Sequence, residues 1–141
     1  MKYQWDSLLE TGNENIDSQH KQLVAALNAL IEACSAGTGK AELARTMEFL
    51  VTYTKKHFND EEELQIRYGY DDYLRHRQIH RDFSVVIAGL AVRLQEEGPT
   101  ASLLAEVRSK MGDWFINHIK GDDFYLAAFI KSQEERTGSG A

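Results

Sequence analysis

The chain of 141 residues contains one cysteine, one proline and five histidines, and no cluster of lysine and arginine. A lone Cys34 excludes an intrachain disulfide framework and fits a reducing compartment. With Pro99 the only proline and few β-branched runs, little interrupts helix, and the expectation is an all-α fold. A formal net charge of -6 argues against a nucleic-acid-binding surface. No apolar run approaches the roughly 18 residues a membrane span needs. The opening MKYQWDSLLETG also lacks the apolar segment of a signal peptide. A cytoplasmic protein with no membrane and no nucleic-acid partner is expected.

What is present is ordinary in bulk and unusual in placement. A hydrophobic share of 43% over this length is enough for one domain to bury a core without staples. An arm over about residues 1–16 carries Trp5 as its anchor. Four amphipathic segments over about residues 17–131 follow, and 132–141, ending TGSGA, has the composition of a linker or tail. The first segment starts near Asp17 as N-cap and stops near Gly37, with Ile16, His20, Leu23, Leu27, Leu30 and Cys34 on one seam. Lys40 to Tyr68 carries Leu43, Met47, Leu50, Thr54, His57, Glu61 and Leu64. Asp72 to Glu97 carries Tyr73, His76, His80, Phe83, Ile87, Leu90 and Leu94, closed by Gly98 and Pro99. The last begins after Thr100, with Leu104, Val107, Met111, Trp114 and His118 on its seam. Short loops between such helices imply an antiparallel up-down-up-down four-helix bundle with an N-terminal arm.

All five histidines fall on seams, where an imidazole or carboxylate is costly unless something pairs with it. His57 and Glu61 are four residues apart, as are His76 and His80, so each pair stacks on one helix face. The carboxylate beside His118 is ambiguous. The seam favours Asp122, four residues on, whereas Asp123 at five is rotated by about 140° on a regular helix, which Gly121 could relax. Glu62 and Glu63 read as a solvated face, as do Arg75, Arg77 and Arg81.

Five histidines, Glu61 and one aspartate are too many ligands for one tetrahedral zinc, and imidazole with carboxylate suits iron. Two octahedral irons sharing Glu61, the aspartate and one oxo or hydroxo bridge keep six terminal positions. Five histidines fill five, and the sixth is open to a small molecule. Leu23, Trp114, Phe115 and Ile119 supply an apolar wall that favours a neutral gas.

These motifs together, IDSQH with His20, HFNDEE with His57 and Glu61, HRQIH with His76 and His80, and WFINHIKGDD with His118, resemble those of the bacterial hemerythrins over nearly the whole chain. The resemblance implies Asp123 rather than Asp122 as the bridging carboxylate. It assigns His76, His80 and His118 to a saturated iron, and His20 and His57 to the iron with the open position. It implies reversible dioxygen binding by a carrier or store rather than an enzyme. The other ligands to weigh are nitric oxide and small anions. The competing readings are a sensor module fused to, or partnered with, a signalling or oxidase protein, and a di-iron oxidase, peroxidase or nitric-oxide-reducing enzyme. The chain carries YGYDDY where many relatives have a proline after the second tyrosine, so the turn is expected to differ and the ligands are not.

Overall fold

A computed structural model describes residues 3–37 and 40–139. Among them there are helices and no strands. Three long helices, α1 (Glu14–Ala36), α2 (Lys40–Tyr68) and α3 (Tyr73–Glu97), are followed by a continuous helical run, α4. Within α4, Ala101–Glu106, Trp114–His118 and Phe124–Ser139 are α-helical, and Val107–Asp113 and Ile119–Asp123 are wide π turns. α1 packs along α2 and α2 along α3, and α4 closes the bundle against α1 and α3. This is the expected all-α four-helix bundle.

Local chemistry sets the helix ends. Asn13, not Asp17, caps α1: its side chain accepts from the Ile16 N–H at 3.0 Å. Asp17 already lies in the first turn. Its carboxylate accepts from the Thr11 N–H at 2.9 Å, the Thr11 hydroxyl at 2.8 Å and the Gly12 N–H at 3.2 Å, tying the arm to the helix start. Gly37, at φ 67°, ends α1 in the left-handed conformation that glycine adopts without steric cost. Thr100 caps α4 by accepting from the Leu103 N–H at 3.1 Å.

The arm is held by more than Trp5. Leu9 is buried on a single 3-10 turn, Ser7–Leu9. The backbone of Tyr3 exchanges hydrogen bonds with the Asn28 amide, at 2.8 and 2.6 Å. The Tyr3 hydroxyl lies 2.9 Å from both the Arg108 carbonyl and Asp113 Oδ1. Its ring lies against Gly112, where a Cβ would collide with it, so any larger residue at that wide turn would have to displace the Tyr3 ring. Trp5 is half-buried, with the Lys21 ammonium 5.7 Å from its ring centre.

The seams of α1 and α3 are buried as read, Tyr73 excepted, which is half-buried. Two differences follow from helix geometry. On α2 the last inward residue is Gln65, fully buried, and Leu64 is half-buried. On α4 the inward set is Leu103, Val107, Met111, Phe115, Ile119 and Asp123 rather than Leu104 and Trp114. A π turn closes i to i+5 hydrogen bonds and takes more residues per turn, so the apolar stripe advances in steps of about four. The tail differs as well: helix continues to Ser139 despite the linker-like composition from Ser132, and residues 140 and 141 lie outside the described residues.

Two apolar clusters flank a polar layer. One fills most of the bundle around Leu30, Leu103 and Val107, each essentially inaccessible, and burial of each such side chain stabilises the fold by about 1.5–3 kcal/mol. The other is small, Ile16, Leu126 and Ile130. Among the described residues no helix is long and apolar enough to cross a membrane.

Candidate metal centre

Between the two clusters, α1 contributes His20, α2 His57 and Glu61, α3 His76 and His80, and α4 His118 and Asp123, each at most 4% exposed. Burying seven ionisable groups in one layer is untenable unless they satisfy one another or an ion. They converge through the same ring atom. His76 and His80 place Nε2 at 3.0 and 3.2 Å from Glu61 Oε1, and His57 Nε2 is 3.3 Å from Glu61 Oε2. Asp123 divides in the same way, with Oδ1 at 3.1 Å from His76 and 3.3 Å from His118, and Oδ2 at 2.8 Å from His20.

Each carboxylate therefore turns one oxygen to each of two groups. One comprises Glu61, His76, His80, His118 and Asp123, the other His20, His57, Glu61 and Asp123, and within each the donor atoms lie within 4.8 Å of one another. Ligands in cis positions of an octahedral ion with bonds of about 2.1 Å are about 3.0 Å apart, which matches these separations. Nε2 of His20 and His57, both Glu61 oxygens and Asp123 Oδ2 make no hydrogen bond despite this proximity. Orphaned donor atoms aimed at a common point are what an ion would satisfy. A pair of octahedral ions bridged by two carboxylates fits the residues present.

The electrostatics of the protein groups run the same way. Burial and the neighbouring Asp123 charge push the Glu61 carboxyl up, but its contacts with His57 and His76 hold it below the usual range. Burial likewise opposes ionisation of Asp123, and His118 overcomes it and leaves that carboxyl well below its ordinary value. In turn, burial lowers His76 and His118, while the two carboxylates raise them to about 9 and about 10.

The wide turn decides between the two aspartates. Ile119–Asp123 is π-helical, so Asp123, five residues after His118, lies inward and fully buried. Asp122, four residues after it, lies behind the ring: its Oδ2 accepts from His118 Nδ1 at 3.2 Å and its Oδ1 from Arg75 at 2.6 Å. His118 first, then Arg75, draw the Asp122 carboxyl down to about 2. A Cβ at Gly121 would meet nothing within 4 Å, so the turn does not need glycine for space.

One expectation of a solvated residue is corrected here. Glu62 accepts from His80 Nδ1 at 3.0 Å, because α3 lies across that face of α2. Arg75 is exposed as expected, and there it pairs with Asp72 at the start of its own helix and with Asp122 on α4. Gln19 was not singled out at all. Its Oε1 accepts from His57 Nδ1 at 2.7 Å, while its Nε2 donates to Asp60 Oδ2 at 2.8 Å, which also accepts from Lys56 at 2.6 Å. Only Asp122, four residues from His118, carried a usable spacing signal.

An apolar cavity of about 20 Å³ is lined by Leu23 and Leu27 of α1, Leu50 and Thr54 of α2, Phe83 and Ile87 of α3, and Met111 and Phe115 of α4, next to this layer. Phe115 stands edge-on to His20 at 5.5 Å, and Thr54 is one turn before His57. Of the four wall residues read from sequence, Leu23 and Phe115 line the cavity. Trp114 instead stacks on His118 at 4.7 Å and on Phe83 at 3.8 Å, and Ile119 is buried away from it.

Comparison with known proteins bears on this layer. Residues 11–130 match the family described as the hemerythrin HHE cation binding domain. The chain is 35% identical over 125 residues to a myohemerythrin of Theromyzon tessulatum, covering 86% of this chain and 88% of that one. It is also 35% identical over 132 residues to a bacteriohemerythrin of Pseudomonas aeruginosa strain LESB58, covering 93% and 84%. A crystal structure of a hemerythrin variant superposes with a TM-score of 0.78 at 24% identity, over 91% of this chain and 96% of that one, which speaks to the fold.

Proposed function

This chain belongs to the hemerythrin HHE cation-binding family, and on that footing we propose that it binds dioxygen reversibly at a non-haem di-iron centre, as an oxygen carrier or store rather than an enzyme. The observation that carries the proposal is the division of Glu61 and Asp123, each with one oxygen toward each of two histidine groups. His76, His80 and His118 would hold one iron and His20 and His57 the other, with Glu61 and Asp123 available to both. The two sides differ by one imidazole, three against two. A pair of reduced irons held there would supply the two electrons that reversible dioxygen binding requires.

The protein's own groups govern what reaches the centre and what leaves it. Leu23 and Phe115 present hydrocarbon to the cavity beside His20, which admits a neutral diatomic molecule and disfavours ions and free water. Thr54, the one polar residue in that wall, can offer a hydroxyl to a bound polar atom. Gln19, Glu62 and Asp122 each accept a ring N–H, which fixes Nε2 of His57, His80 and His118 toward the centre. Residues 1–131, arm and bundle, form the oxygen-binding unit, placed in the cytoplasm. Nitric oxide is a second ligand that the same small apolar cavity accommodates.

The reading is tested by metal analysis with optical spectra of the reduced protein, before air, in air and after its removal. Two irons per chain and a visible band that grows in oxygen and vanishes without it are expected. Passage to a stable oxidised spectrum in a single exposure would move the function to a redox sensor or oxidase, and zinc or no metal would end the di-iron reading.

A further inference from the structure

We propose that Gln19 makes the His20/His57 side of the centre the harder to oxidise, by placing a neutral amide where the other side has carboxylates; the inference rests on the di-iron reading above. Behind the rings the acceptors are unequal. His80 Nδ1 donates to the Glu62 carboxylate at 3.0 Å and His118 Nδ1 to the Asp122 carboxylate at 3.2 Å. His57 Nδ1 donates to the Gln19 amide oxygen at 2.7 Å. His20 and His76, one on each side, have no partner at Nδ1 among the described residues and so do not tip the balance.

An imidazole whose N–H is drawn toward a carboxylate becomes a more basic ligand, and more basic ligands favour the higher oxidation state of the ion they hold. Two carboxylates act on the three-histidine side and none acts directly on the two-histidine side. The nearest negative charge behind His57 is Asp60, one amide further out, and Lys56 shares it. Asp60 fixes the orientation of the Gln19 amide, because its oxygen accepts from Nε2 and leaves Oε1 for the ring. When a one-electron oxidant such as ferricyanide takes a single electron from the reduced pair, that electron leaves the His76/His80/His118 side. Gln19 is thus a positioning residue that keeps reducing power on the His20/His57 side.

The test is a mediated redox titration of the iron-loaded protein, followed by electron paramagnetic resonance of the odd-electron form. It compares the wild type, Glu62→Gln, and the double variant Gln19→Glu with Asp60→Asn. The double variant keeps the net charge and the bond from His57, reverses the bond between positions 19 and 60, gives up the Lys56 contact to that atom, and moves the negative charge onto the atom that touches His57. In the wild type two one-electron steps are expected. The double variant favours oxidation in the second step about tenfold, a 59 mV fall for a one-electron couple, and leaves the first in place. Glu62→Gln raises the first step and leaves the second. A single unresolved two-electron step in the wild type, or a double variant whose second step does not fall, overturns the inference while two irons and oxygen cycling leave the functional reading intact. A wild type that retains fewer than two irons overturns both.

Discussion

Gln65 provides a test of how the bundle tolerates polarity beside its centre. It lies one turn beyond Glu61 on α2, is fully buried, and neither atom of its amide makes a hydrogen bond among the described residues. Its turn also carries Leu64 and Tyr68 toward the apolar cluster of Ile16, Leu126 and Ile130. A buried amide without partners costs about 1–3 kcal/mol in protein mutational data. Methionine has the same unbranched reach and nearly the same volume, and adds no polar group that needs satisfying. Gln65→Met is therefore expected to stabilise the metal-free protein by about 1–3 kcal/mol, which raises its melting temperature by roughly 3–10 °C for a chain of this length. Urea and thermal denaturation of the metal-free chain, where two-state behaviour is best obeyed, read the effect. A melting temperature that falls on Gln65→Met would refute the reasoning, because it would mean that the amide is hydrogen-bonded in solution.

Other consequences are equally specific. Asp123→Asn should remove one of the two shared carboxylates and lower bound iron below two per chain, whereas Asp122→Asn should retain two irons and weaken the His118 side about 10–100-fold in competition with a chelator. Equal effects of the two changes would contradict their assignment to the front and back of the His118 ring. Leu23→Ala should cost about 2.7–5.0 kcal/mol, at the upper end because a cavity already adjoins the site, and should hasten conversion to the oxidised protein in air; an unchanged oxidation rate would remove the cavity from the account. Burial first, then the hydrogen bond and charge of Asp113, push the Tyr3 hydroxyl up to about 12. Because the folded value exceeds the unfolded one, the arm's contribution is full below about pH 10 and is lost as pH rises through 12. Tyr3→Phe should flatten stability across that interval, and a variant with the same slope as the parent would show that Tyr3 does not titrate with the arm.

The bundle and most of its centre were legible because ligands and apolar residues share the same seams. His20 continues the row of Leu23 and Leu27, and His57 and Glu61 continue that of Leu50 and Thr54, so one periodicity located the helices and aimed the donors. Periodicity failed where the helix ceased to be regular. Asp123 falls off the seam of an ideal helix and onto it in the π turn Ile119–Asp123, and the earlier π turn Val107–Asp113 exchanges Trp114 for Phe115 on the inner face. It also failed for contacts between helices. Glu62 has the composition and spacing of a solvated face, and only the packing of α3 on α2 turns it toward His80, while Arg75 is exposed as expected and reaches Asp122 from the surface. Gln19, next to His20 in sequence, acts on His57 of another helix, and no spacing within α1 announces that. At the first cap, Asn13 and Asp17 are both good candidates by residue type; the three hydrogen bonds that draw Asp17 back to the arm decide between them.

The central claim is that seven side chains hold two ions through two shared carboxylates. The most direct measurement is a crystal structure of the reduced protein loaded anaerobically with iron, with the ions located by anomalous scattering at the iron edge. Two iron peaks are predicted, one against His76, His80 and His118, the other against His20 and His57, with Glu61 and Asp123 each touching both. A single peak, or a second peak held by Asp122 in place of Asp123, would contradict it.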